Sequence, residues 1–228
     1  MQTRTYGSRT VTLPGLDEPG VYLSTLSTLE APRGVLQDFR YGDSSLRDLD
    51  LTDTKLVTGR IHGLTAARAR FDELRLNSVD FDHADLGMLQ WTGSKLSRVS
   101  FRNCKLMGAQ FDGLALDDVL FENCKLDYAT FTQVRATGSV VFSKCSLAEV
   151  VFEGCDLSQA VIDDCVLRAT EFSRGRYQGF DLRGNDLSTI RGAANLSKIV
   201  IGHAQQPGLA DALISELDVT FKEDMARH

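Results

Sequence analysis

The chain has 228 residues, 43% of them hydrophobic, and a formal net charge of −6. That is enough apolar material for a substantial core, and too few net cations for a surface built to bind nucleic-acid phosphates. No apolar run approaches the roughly eighteen residues of a membrane helix, and the first thirty residues lack the basic-then-apolar order of a signal peptide, so no membrane partner is expected.

Residues 1–42 are irregular. Thr10-Val11-Thr12-Leu13 alternates like a short strand, while Pro14-Gly15, Pro19-Gly20 and Pro32 are turn signals. Val21, Leu26, Leu36 and Tyr41 keep a faint period of five. The segment reads as an N-terminal cap merging into a first coil, because an uncovered strand edge templates aggregation.

Residues 43–197 repeat every five residues, a period that fits neither a helix nor a strand. Sorting the large apolar centres by every fourth repeat gives four columns. The first reads Leu46, Ala66, Leu86, Leu106, Leu126, Leu147, Leu167, Leu187; the second Leu51, Phe71, Trp91, Phe111, Phe131, Phe152, Phe172. The third reads Leu56, Leu76, Leu96, Leu116, Ala136, Leu157, Tyr177; the fourth Ile61, Phe81, Phe101, Phe121, Phe142, Ile162, Leu182. Two residues before a centre there is often a small or compact residue such as Val99, Cys104 or Ala109, and the other three are mostly polar. Two side chains per repeat therefore point inward, and the chain turns one corner per repeat. Leucine columns alternating with aromatic columns predict an all-β solenoid: a right-handed quadrilateral β-helix of about eight coils, each sharing its core with the next. Ala66 follows a large inward Leu64, a swap that conserves volume. Gly175, Phe180 and Asn185 are unusual inward residues and predict irregular last coils. The eleven-residue step from Phe131 to Phe142 predicts a one-residue bulge around Arg135–Ser139.

Stretches such as Ala84-Asp85-Leu86 and Cys155-Asp156-Leu157 resemble the pentapeptide repeat family, whose loose consensus is a small residue, Asp or Asn, Leu or Phe, then two polar residues. The resemblance covers about two thirds of the chain. It implies the β-helix, and it brings two functional expectations. Members of the quinolone-resistance type bind DNA gyrase and other type II topoisomerases by resembling duplex DNA in shape and negative charge, and several members dimerise through their C-terminal ends.

Residues 198–228 read as a C-terminal cap: Leu209, Leu213 and Leu217 recur every four residues with Ala210 and Ile214 beside them, and Asp218–Phe221 reads as a short strand. The apolar surplus at Leu209, Leu213, Ile214, Leu217 and Phe221 makes this segment the candidate homodimer contact.

Catalytic and cofactor chemistry finds little support. The five cysteines, an odd number, argue for a reducing cytoplasm rather than a disulfide framework. All five take the small inward position with no C-x-x-C spacing, so they read as small hydrophobes rather than metal ligands. His62 and His83 stand outward on successive coils beside Asp82, but two histidines without a third fixed ligand make a poor metal site, and a solvated face is the better reading. No nucleotide or hydrolase fingerprint is present, and paired carboxylates such as Asp117-Asp118 sit on a convex surface rather than in a pocket. No enzyme activity and no cofactor are expected. The chain reads as an interaction module for an unidentified protein partner. Residues 44–197 hold 21 acidic and 18 basic residues, and one face runs Asp82, Arg102, Glu122, Lys144, Asp163, Arg183, so the DNA-mimic reading with gyrase is the alternative.

Overall fold

Each apolar centre lies beside the equivalent residue of the next repeat level in the computed structural model, which describes residues 2–31, 34–217 and 219. Leu96 pairs with Leu116, Phe101 with Phe121 and Phe111 with Phe131, all in parallel register. The result is a parallel-strand β-solenoid of about 7 turns. One sheet runs along the third and fourth faces, from Ser24–Thr25 to Ala160–Asp163; a second runs along the first and second, from Ser45–Asp50 to Glu171–Ser173.

The corners have a local cause. The residue two places after a centre takes a left-handed backbone: Asp53 (φ 47°), Asn103 (φ 55°), Gly113 (φ 65°) and Asp118 (φ 53°) are examples. Asn, Asp and Gly reach this conformation at least cost, which is why they recur there.

The interior is a stack of rings. Phe81, Phe101, Phe121 and Phe142 follow one another at 4.9 Å with interplanar angles of 17°, 11° and 5°. On the second face Phe111, Phe131 and Phe152 stack at 4.5 and 4.8 Å. These spacings match the distance between hydrogen-bonded strands. Across the rod the rings meet edge-on, as Phe131 and Phe142 do at 89°. Every ring named in the second and fourth columns, and Leu86, Leu106, Leu126, Leu147 and Leu167 in the first, is buried.

Where one inward residue shrinks, a neighbour fills the space. Leu64 is buried beside Ala66; a Cβ on Gly59 would lie 2.1 Å from the Phe39 ring, and one on Gly175 2.4 Å from the Tyr177 hydroxyl. Inward polar residues satisfy themselves against the backbone: Ser94 Oγ donates to the Thr92 carbonyl and accepts from the Leu74 amide. The cysteines do likewise, Cys124 Sγ donating to the carbonyls of Phe101 and Glu122, and all five are free thiols. At the slip, three residues (137–139) span the gap that residues 117 and 118 span one coil earlier, and the amides of both Thr137 and Gly138 reach the Leu116 carbonyl.

The N-terminal end differs from the sequence reading, while the last coils are irregular as Gly175, Phe180 and Asn185 predict. Strand pairing starts before residue 43, since Val35–Gly42 already pairs with Lys55–His62. The expected eighth coil loses its strands beyond Ser173 and survives as isolated bridges such as Asp156 to Arg176 and Asp181 to Val200, where Phe180 and Asn185 replace the usual small residues. The N-terminal segment is not only a cap. β1 (Gln2–Tyr6) and β2 (Arg9–Leu13) form an antiparallel hairpin that lies along the flank of the rod, with Val11 and Leu13 seated on Leu120, Val141 and Val161.

At the far end, α1 (Gln206–Glu216) covers the last coil. Leu209 and Leu213 pack on the core and Ala212 is buried. Gln205 Nε2 donates to the carbonyls of Leu182 and Asn185, and the Glu216 carboxylate accepts from the amides of Ala193 and Ala194, so open coil groups are paired. The helix stops at Glu216, so Leu217 does not share the inward face with Leu209 and Leu213; it is 72% exposed. Phe221 and the expected strand Asp218–Phe221 lie outside the described residues apart from Val219, which carries no strand.

Candidate interaction surface

With the interior filled by leucine and phenylalanine, the outward columns carry whatever the molecule does. The hairpin removes one of them from solvent. On the fourth face the position before each centre reads Arg60, Asp80, Ser100, Leu120, Val141, Val161, Asp181, and all but Arg60 are buried. Arg4 Nη1 donates to both oxygens of Glu122 at 2.8 and 3.0 Å, Arg9 donates to the Ser158 carbonyl, and Asp17 receives Arg60 at 2.8 and 3.1 Å. Buried Asp80 is held by Arg60 and Arg102. Three consecutive apolar residues in an otherwise polar outward column were a sequence signal for this covered flank, and the reading above missed it.

The next column on that face is mixed in sign, but the bulge alters it: Glu122 pairs with Ser143, and Lys144 moves to the corner. The third face is different. Lys55, Arg75 and Lys95 stand in direct register, followed by Ala115 and Arg135, and all four cations are exposed. None of the four has an ion-pair partner among the described residues. Beside this basic strip the second face carries Asp72, Asp112 and Glu153 in alternation with Thr92 and Thr132. At the corner between the first and second faces Met88 and Tyr128 are 70% and 55% exposed.

The candidate metal ligands fall into two groups. The thiols of the ladder Cys104, Cys124, Cys145 and Cys165 are spent on carbonyls, and burial pushes the thiol of Cys155, on the opposite side, up to about 11. His62, Asp82 and His83 do meet, with their donor atoms within 4.8 Å of one another. Of the proposed dimer residues, Leu209 and Leu213 are engaged by the last coil, Ile214 is half-buried and Leu217 faces solvent. No helix among the described residues is long and apolar enough to cross a membrane.

The sequence model of pentapeptide repeats matches in 8 copies, over residues 92–123 and 145–184. No curated protein matches. Among solved structures, a trypsin-treated variant of QnrB1, a plasmid-mediated fluoroquinolone resistance protein, is similar at 16% identity, with a TM-score of 0.45 over 82% of this chain and 98% of that one. HetL, a pentapeptide repeat protein involved in heterocyst differentiation regulation from the cyanobacterium Nostoc, is similar at 16% identity, with a TM-score of 0.42 over 69% of this chain and 86% of that one.

Proposed function

Starting from a chain that carries pentapeptide repeats, we propose that it is a non-catalytic interaction module of a reducing cytoplasm, which presents its third face to an acidic strip on a protein partner. Solenoids of this repeat are generally structural or interaction modules. One observation carries the reading: Lys55, Arg75 and Lys95 are in register and have no ion-pair partner among the described residues. Like charges directly opposite on neighbouring strands are unfavourable, so folding gains nothing from this column. A partner that presents carboxylates at strand spacing relieves the repulsion and reads the ladder as a unit.

Triple reversal of Lys55, Arg75 and Lys95 to Glu is the test. Capture of the partner from lysate should be lost while the fold is retained, since one column of like charges replaces another. Capture that survives the reversal places the contact on another face. The DNA-mimic reading with gyrase makes the opposite demand, a continuous acidic track, and the mixed columns around the rod do not favour it. It would be supported by inhibition of gyrase supercoiling that weakens steeply with salt and survives the triple reversal.

A further inference from the structure

We infer that His62, Asp82 and His83 form a binding site for zinc or a similar borderline divalent ion at the corner between the fourth and first faces. Strand register builds the cluster. His62 and Asp82 are direct neighbours on adjacent strands, and His83 follows Asp82 with the left-handed backbone of a corner, φ 54°. His62 Nδ1 lies 3.3 Å from Asp82 Oδ2, and His83 Nδ1 lies 2.9 Å from Asp82 Oδ1. In a tetrahedral zinc site with bonds of about 2.0–2.2 Å, donor atoms are roughly 3.3–3.5 Å apart. Both imidazole-to-carboxylate distances are thus close to the donor spacing that such a site needs, and all the donor atoms lie within 4.8 Å of one another.

Asp82, which the sequence placed beside the two histidines, is the third ligand, and its orientation is set. Asn103 Nδ2 donates to Asp82 Oδ1 at 3.0 Å, and Asn123 Nδ2 in turn donates to Asn103 Oδ1 at 2.7 Å, an amide ladder climbing the same corner. Such outer hydrogen bonds fix ligating carboxylates. Arg102 is turned to buried Asp80. Two imidazoles with one carboxylate suit zinc, copper, nickel or iron, whereas magnesium and calcium take oxygen shells. The fourth position stays open to water. Because the ligands come from two adjacent coils, the ion ties one coil to the next.

The full-length protein, freed of metal by a chelator, is titrated with zinc alone by calorimetry and with cobalt by visible absorption. One equivalent should bind in the micromolar range, with a cobalt spectrum lacking thiolate charge transfer and a saturable rise in melting temperature. Asp82→Asn and His83→Ala should each weaken binding about tenfold or more while circular dichroism stays unchanged. Absence of uptake at about 100 µM zinc overturns the site. So does uptake that is indifferent to both replacements, or that carries a thiolate signature and is lost with Cys165→Ala.

Discussion

Phe111 shows how a single residue is held here. It stacks on Phe131 at 4.5 Å, tilts against Trp91 at 5.9 Å and meets Phe121 edge-on at 6.5 Å. The backbone around it is bonded on both sides to neighbouring coils, so the site cannot collapse onto a deletion. Phe111→Ala should cost roughly 3–5 kcal/mol in denaturant titration; a loss under about 1 kcal/mol would mean that the column is not continuous. Cys155 gives a pH dependence. Its thiol is raised from an ordinary 9.0 to about 11 by burial. A group raised in the folded state contributes stability that is complete below its unfolded pKa and fades as pH climbs toward the folded one. Between about pH 8 and pH 10.5, Cys155→Ala should therefore lose about 2 kcal/mol less than the parent chain. Equal losses would show that this thiol does not resist ionisation.

At the scale of elements, the two ends do different work. The β1–β2 hairpin is joined to the rod by a small apolar contact flanked by ion pairs, separate from the main core. Val141→Asp sets a charge under it and removes roughly 1.5–3 kcal/mol of side-chain burial. The hairpin should detach while the rod stays folded: trypsin should then cut at Arg4 and Arg9 well before the coils, with the β-sheet signal in circular dichroism intact. Cleavage no faster than in the parent chain would show that the hairpin is held by its polar contacts, Arg4 to Glu122 and Arg9 to Ser158, without the apolar one. The helix α1 is bonded to the coil edge itself through Gln205 and Glu216, so its loss leaves unpaired backbone groups where the hairpin's loss does not.

For the molecule as a whole, the open question is self-association. The helix spends Leu209 and Leu213 on the last coil, which leaves Ile214, Leu217 and Val219 as the outer apolar surface. We propose that a second copy covers it about a two-fold axis. Light scattering at tens of micromolar should give twice the chain mass, and Leu217→Asp should return it to the monomer without loss of fold. A monomeric mass for the parent chain ends the proposal. Deletion of residues 205–228 should aggregate the rod, because the deletion uncovers the coil edge as well as the contact.

The repeat, the four columns, the bulge and the helical cap were legible in the sequence, because each follows from local periodicity: a centre every five residues, a compact residue two places earlier, and one extra residue between Phe131 and Phe142. Parallel stacking then carries each position onto its equivalent twenty residues later, or twenty-one across the bulge. The N-terminal hairpin was not legible. Its contacts join residues more than a hundred positions apart, such as Arg4 to Glu122 and Arg9 to Ser158, and no period links them. The basic ladder stood in the sequence as residues twenty apart, and His62, Asp82 and His83 were read there as neighbours on a solvated face. Only the register of adjacent coils set three cations in line, and only the left-handed turn at His83 brought its imidazole back onto Asp82.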